Sequence, residues 1–308
     1  MNRLLVRILG ATLFLSAFLL FWCQPMVGKM VLPYLGGAAA VWTTCVLFFQ
    51  AVLLAGYMYA HLFGRYTSTR AQIAIHISVL LLPALFLPVS FSGGLGTGAF
   101  SHPALSLLQR LVMAVGVPFF VISTTAPLLQ NWLAGTGHAS ANDPYFLYAA
   151  SNAGSLIALV SYPFVVEPRV GVASQSSFWA AGYGVLVAMI AISSGLVWRH
   201  TETQKRYRQK FEGNVEPAPG AKTRVMWLVP SFIASGLMLA VTNHITSNLA
   251  SAPFLWILPL AIYLLTFIVA FSDRLRFGSE RVSRTIPIIL LALFPVVSAD
   301  VIAPPRIN

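Results

Sequence analysis

Carboxylates are what this sequence has least of. Only eight of its 308 residues are Asp or Glu, and charged residues of both signs make up 9%. A soluble domain carries about 25% charged residues, so this chain cannot clothe a water-facing surface. A soluble enzyme, a nucleic-acid reader and a disordered chain are excluded on that ground. Outside the hydrophilic middle of the chain and the Glu280 segment, the only acids are Asp143, Glu167, Asp273 and Asp300. They form no paired motif for proton relay. Cysteine is equally scarce: Cys23 and Cys45 are too few for a disulfide framework or a zinc site. His61, His76, His102, His138, His200 and His244 show no metal-ligand spacing. Gly93-Gly94-Leu95-Gly96-Thr97-Gly98 imitates a dinucleotide fingerprint but lacks the following strand–helix unit and ribose-binding acid. No metal and no cofactor is expected.

What is abundant is apolar sequence. Hydrophobic residues make up 57% of the chain, and the mean hydropathy is +0.78. A helix needs about 20 apolar residues to cross a bilayer. Nine runs qualify: residues 4–23, 39–60, 71–91, 105–128, 145–166, 175–198, 225–244, 252–271 and 285–303. None has the two-residue alternation of a membrane barrel. The pattern predicts an all-α, polytopic transmembrane bundle. Leu4–Cys23 lacks a small-x-small cleavage site and reads as a retained span, not a signal peptide.

The net charge of +11 belongs to topology and not to nucleic acid. With the N-terminus in the cytoplasm, fifteen Lys and Arg fall on the inner side and four (Lys29, Arg110, Arg169, Arg306) on the outer side. The bilayer is therefore the expected partner. The longest hydrophilic segment, Arg199 to Arg224, reads as a basic cytoplasmic linker. It divides a six-span half (residues 1–198) from three further spans (residues 225–308). Ala40-Val41-Trp42 after the first outer loop and Phe254-Leu255-Trp256 after the later one give a faint internal repeat, the plan of parallel-repeat transporters.

Polar residues inside apolar runs point to function, because they face a bundle interior or a cavity. Thr43, Gln50, Tyr57 and His61 stay within about 40° of one another on a helix. Tyr145, Tyr148, Asn152 and Ser155 form a second stripe, with Ala150 and Gly154 spaced for close helix approach. Each stripe is either a cavity wall or a set of interhelical hydrogen bonds. Gln24 to Gly37, with Pro25, Pro33, Gly28, Gly36 and Gly37, predicts an outer loop with a re-entrant turn. Lys29 in it either snorkels to water or pairs with Glu167, the one carboxylate expected in the outer loops.

Several blocks together resemble a known family. They are Gln24-Pro25-Met26-Val27-Gly28-Lys29, Ala40-Val41-Trp42-Thr43-Thr44-Cys45, Ser123-Thr124-Thr125-Ala126-Pro127, Asp143-Pro144-Tyr145, Leu147-Tyr148-Ala149-Ala150-Ser151-Asn152 and Glu167-Pro168, with Leu258-Pro259-Leu260 further on. They are similar to the membrane part of the fused major-facilitator/spermidine-synthase-like proteins. The resemblance implies a major-facilitator-like first half in a bacterial inner membrane, acting as a transporter-like module or as a structural subunit of a larger membrane complex. A small-molecule substrate such as a polyamine, or a membrane-protein partner, would follow from it. The family's larger members carry a cytosolic aminopropyltransferase-like domain after the membrane part. No glycine-rich strand–helix turn with following acids is present here to hold its substrate, so that catalysis is not expected of these 308 residues. Nine spans would leave Asn308 outside, which fits a fragment or a membrane-only relative.

Overall fold

Helices satisfy their own backbone hydrogen bonds at bilayer depth, and this chain follows that rule further than its apolar runs require. The computed structural model describes residues 2–35, 39–91, 102–136, 145–211, 219–248 and 257–270, and no strand occurs among them. The helices are α1 (Asn2–Leu35), α2 (Ala39–Tyr66), α3 (Thr69–Leu81), α4 (Pro103–Leu111), α5 (Val117–Ala134), α6 (Tyr145–Ser161), α7 (Glu167–Arg169), α8 (Val172–Phe211), α9 (Ala221–Asn248) and α10 (Ile257–Ala270). A 3₁₀ turn, Leu82–Leu85, extends α3. π-helical turns at Val112–Gly116 and Tyr162–Val166 join α4 to α5 and α6 to α7. Pro118 and Pro168, which follow these two turns, have no N–H to give to the carbonyl four residues back.

Six helical stretches among the described residues are long and apolar enough to cross a membrane: Leu4–Leu35, Ala40–Tyr66, Pro103–Ala134, Phe146–Arg169, Val172–Arg199 and Ala221–Thr242. Thr69–Leu85 and Pro259–Ile268 are apolar but shorter. The ninth run expected from sequence, residues 285–303, lies outside the described residues, as do the Gly93–Gly98 loop, His138 and Asp143.

Two expectations need correction. Gln24 to Leu35 is not a loop; it is the last third of α1, with Pro25 and Pro33 inside the helix. Met26 and Val27 are fully buried, and Gly28 packs against the Trp42 ring. Prolines and glycines mark turns in water. In an apolar surrounding, a turn would leave more backbone groups without partners than a kinked helix does. Likewise, Arg199 to Arg224 is not wholly a linker. Helix α8 continues to Phe211 and α9 begins at Ala221. The Lys, Arg, Gln and Glu that make the segment hydrophilic are also good helix formers.

Helix α1 is the centre of the bundle. Its broadest packing is against α6, followed by α8 and α5, while α2 packs chiefly on α5. Leu9, Leu13, Cys23, Met26 and Val27 of α1 meet Phe119 and Ile122 of α5 and Trp179, Leu186 and Ile190 of α8 in one buried cluster. Between helices surrounded by lipid, apolar contact alone supplies little drive; close packing and hydrogen bonds supply it. Both are present. The Trp179 indole donates to the Leu19 carbonyl at 2.8 Å, Tyr183 Oη to the Leu80 carbonyl at 2.7 Å and Ser176 Oγ to the Val89 carbonyl at 2.6 Å. A β-carbon at Gly154 of α6 would overlap the Phe14 carbonyl of α1, and one at Gly56 of α2 would overlap Ser123 of α5. Only hydrogen fits at Gly154, where the neighbour is backbone, whereas a β-carbon at Gly56 would require the Ser123 hydroxyl to turn away. Helix α10 docks on α6 through Leu159, Ile257 and Leu264. On the outside, Leu47, Leu54, Phe164, Phe178 and Phe232 are each more than half exposed. Such a surface would aggregate in water and suits acyl chains.

Candidate functional site

Leu20, Phe21 and Gln24 of α1, Trp42, Thr43, Val46, Gln50 and Leu53 of α2, Met238, Leu239 and Thr242 of α9, and Leu260 of α10 enclose a partly open cavity of about 110 Å³. Its wall is mostly apolar, with four polar side chains: two amides and two threonine hydroxyls. Spacing along α2 explains two of them, since Thr43 and Gln50 are seven residues apart and share a face. The continuation of α1 past Cys23 explains the third. Had Gln24 opened a loop, its amide would not share the cavity wall with Leu20 and Phe21. Among the described residues, no hydrogen bond joins the Gln24 or Gln50 amide to a protein group, whereas Thr43 and Thr242 each have an interaction partner, and no charged side chain lines the cavity.

The structure brings together Gln24, Thr43 and Gln50 of the residues singled out from sequence. It does not bring Tyr57 and His61 to the cavity: both are exposed further along α2. In the α6 stripe, Tyr148 is exposed, Asn152 is half-buried and Ser155 is buried, with its hydroxyl donating to the Ser151 carbonyl at 3.1 Å. The Tyr145 side chain lies outside the described residues. None of the stripe lines the cavity, and Gly154 beside it serves the contact with α1.

Lys29 and Glu167 meet. Lys29 Nζ donates to Glu167 Oε1 at 2.8 Å, with the two side chains 32% and 21% exposed. The pair ties α1 to the start of α7. The surrounding turn is held by further polar contacts. Arg169 Nη1 donates to the carbonyls of Phe164 (2.9 Å) and Val165 (3.2 Å), one of them the carbonyl that Pro168 leaves unpaired. Tyr162 Oη donates to Gln175 Oε1 at 2.9 Å, and Gln175 Nε2 to the Val170 carbonyl at 2.8 Å.

Sequence reasoning missed a second polar centre. Gln72 of α3 is buried. Its amide nitrogen donates to the carbonyls of Phe63 (3.2 Å) and Thr67 (3.0 Å), and its oxygen accepts from Asn131 Nδ2 (3.3 Å) and the Trp132 indole (3.0 Å). His76, one turn on, is buried with both ring nitrogens lacking a hydrogen-bond partner, edge-on to Trp132. A glutamine within an apolar run was the available signal. Thr242 and Trp42 as cavity walls carried no signal beyond that of any polar or aromatic residue in a span.

The chain is a multi-pass helical membrane protein. Comparison with family models, curated proteins and solved structures finds no match to it.

Proposed function

We propose that this protein is a transporter-like module that binds a small solute in the cavity between α1 and α2 on one side and α9 and α10 on the other. The observation that carries the reading is the pair of glutamine amides, Gln24 and Gln50, that line one cavity between apolar helices with no hydrogen bond to either amide among the described residues. Polar groups in that position are costly and are kept where they meet a ligand or water. A scaffold would be expected to fill such a space with apolar side chains.

Packing supports a major-facilitator-like first half. Taking α1–α2–α3 and α4/α5–α6–α8 as two three-span units, the first helix of each packs on the second helix of the other: α1 on α6, and α5 on α2. Each of these contacts is closed by a glycine on the second helix, Gly154 and Gly56. Reciprocal pairing is what a two-fold relation between inverted units produces. In this reading α9 and α10 open a second half, the N-terminus is cytoplasmic, and Lys29 and Glu167 lie at the outer face of a bacterial inner membrane. The family suggested by the sequence blocks agrees with this plan.

The test is water access. In a chain with Cys23 and Cys45 replaced, both buried, Thr43→Cys and Val46→Cys in proteoliposomes should react with a membrane-impermeant thiosulfonate. Leu47→Cys, on the exposed apolar side of α2, should not. Unreactive cysteines at 43 and 46 would return the protein to the structural-subunit reading.

A further inference from the structure

We infer that the cavity takes a small uncharged solute carrying both hydrogen-bond donors and acceptors, of the carboxamide, urea or short polyol kind, and not a polyamine. This rests on the transporter-like reading of the same cavity. Three observations lead to it.

The first is charge. Among the described residues, the lining contains no carboxylate to neutralise an ammonium group and no Lys or Arg to neutralise an anion. The nearest ionised group on α1 is Lys29, and it is bound to Glu167 at 2.8 Å. A polyamine would enter as a polycation and lose its hydration with nothing ionic in return, which is prohibitive at low dielectric. The aromatic rings Phe21 and Trp42 attract cations weakly and do not replace a carboxylate.

The second is hydrogen-bonding chemistry. Gln24 and Gln50 each present an NH₂ donor pair and a carbonyl acceptor, and neither is used by the protein. Two such groups on one cavity are complementary to a solute that offers donors and acceptors side by side. A purely apolar ligand would leave both amides unsatisfied. The third is size. The volume of about 110 Å³ is far below the roughly 300–1,000 Å³ of sites for drug-sized ligands, which favours a solute of a few heavy atoms such as acetamide, urea or glycerol.

The experiment uses the full chain with Cys23 and Cys45 replaced and Val46→Cys as reporter, in proteoliposomes, with the probes acetamide, urea, glycerol and putrescine. The expected result is that at least one neutral probe slows thiosulfonate labelling of position 46 in a saturable way, that putrescine does not, and that Gln24→Leu or Gln50→Leu loses the protection while labelling without solute persists. Putrescine protection, or labelling that no neutral probe slows, overturns the inference and leaves the reading of a water-filled cavity standing. So does protection that survives both leucine variants. Failure of position 46 to label at all overturns both.

Discussion

Breaking the Lys29–Glu167 pair is the sharpest test of how this end of the bundle is held. The gross attraction of unit charges 2.8 Å apart at an effective dielectric of about 20 is ~6 kcal/mol, and in bulk water ~1.5 kcal/mol. Desolvation takes back much of this. Exposed pairs net about 0.2–1 kcal/mol, and breaking a buried pair costs about 3–5 kcal/mol. With a third of Lys29 and a fifth of Glu167 exposed, the pair falls between those limits. We expect Lys29→Met and Glu167→Gln each to cost ~1–2 kcal/mol, by interpolation between those ranges. The double variant should cost clearly less than the two singles summed, with a coupling of ~1 kcal/mol. The charge-reversed double variant, Lys29→Glu with Glu167→Lys, should recover part of the loss. Denaturation by SDS in mixed micelles gives the four stabilities. Additive effects near zero would refute the reasoning, because they would mean both charges remain solvated and the short distance contributes nothing.

Three further outcomes follow from the packing. Gly154→Ala should cost about 1–3 kcal/mol by overpacking, whereas Gly184→Ala, with open space at its β-carbon, should be neutral or gain up to ~1 kcal/mol of helix propensity; the same unfolding assay separates them. Gln72→Leu should lose about 1–3 kcal/mol because it leaves the buried Trp132 indole without its acceptor and removes the amide that donates to the Thr67 carbonyl, while His76→Phe, which removes nitrogens without a hydrogen-bond partner, should be neutral or stabilising. Under the proposed orientation, Lys210→Cys should label in inverted vesicles and not in intact cells, and labelling in intact cells by an impermeant reagent would reverse that orientation.

Runs of apolar residues were legible as helices because length and composition alone decide whether a segment can sit in hydrocarbon. Helix α2, expected from residue 39 and observed from Ala39, shows this. The ends were less legible. Both misplaced boundaries, at Gln24 and at Arg199, come from reading punctuation by its behaviour in water. Pro25 and Gly28 break helices when backbone groups have solvent to turn to; inside a bundle they do not. Arg199–Phe211 looked like a linker because polarity and helicity are independent properties. Of the α2 stripe, Thr43 and Gln50 line the cavity and Tyr57 and His61 do not. Periodicity puts Thr43, Gln50, Tyr57 and His61 on one line, but a line is longer than a cavity, and the wall ends at Leu53. Which part of the stripe is used depends on where α9 crosses, and no local pattern encodes that. Lys29 with Glu167 was accessible for a different reason: in a chain this poor in carboxylates, a lone half-buried cation has few partners to choose from.

The packing around the cavity bears on how a solute would be recognised. On the α1–α2 side, the wall belongs to a bundle closed by glycine contacts, by the Trp179, Tyr183 and Ser176 hydrogen bonds between helices, and by the Gln72 centre. Recognition needs donors and acceptors held in fixed positions. Under the proposed function, Gln24 and Gln50 meet that need because the helices that carry them are packed into this bundle: α1 against α6, α8 and α5, and α2 against α5. Thr242 differs from them in a second way: its hydroxyl already donates to the Met238 carbonyl at 2.8 Å, so less of its hydrogen-bonding capacity is left for a solute. The two glutamines are therefore the groups that define the solute.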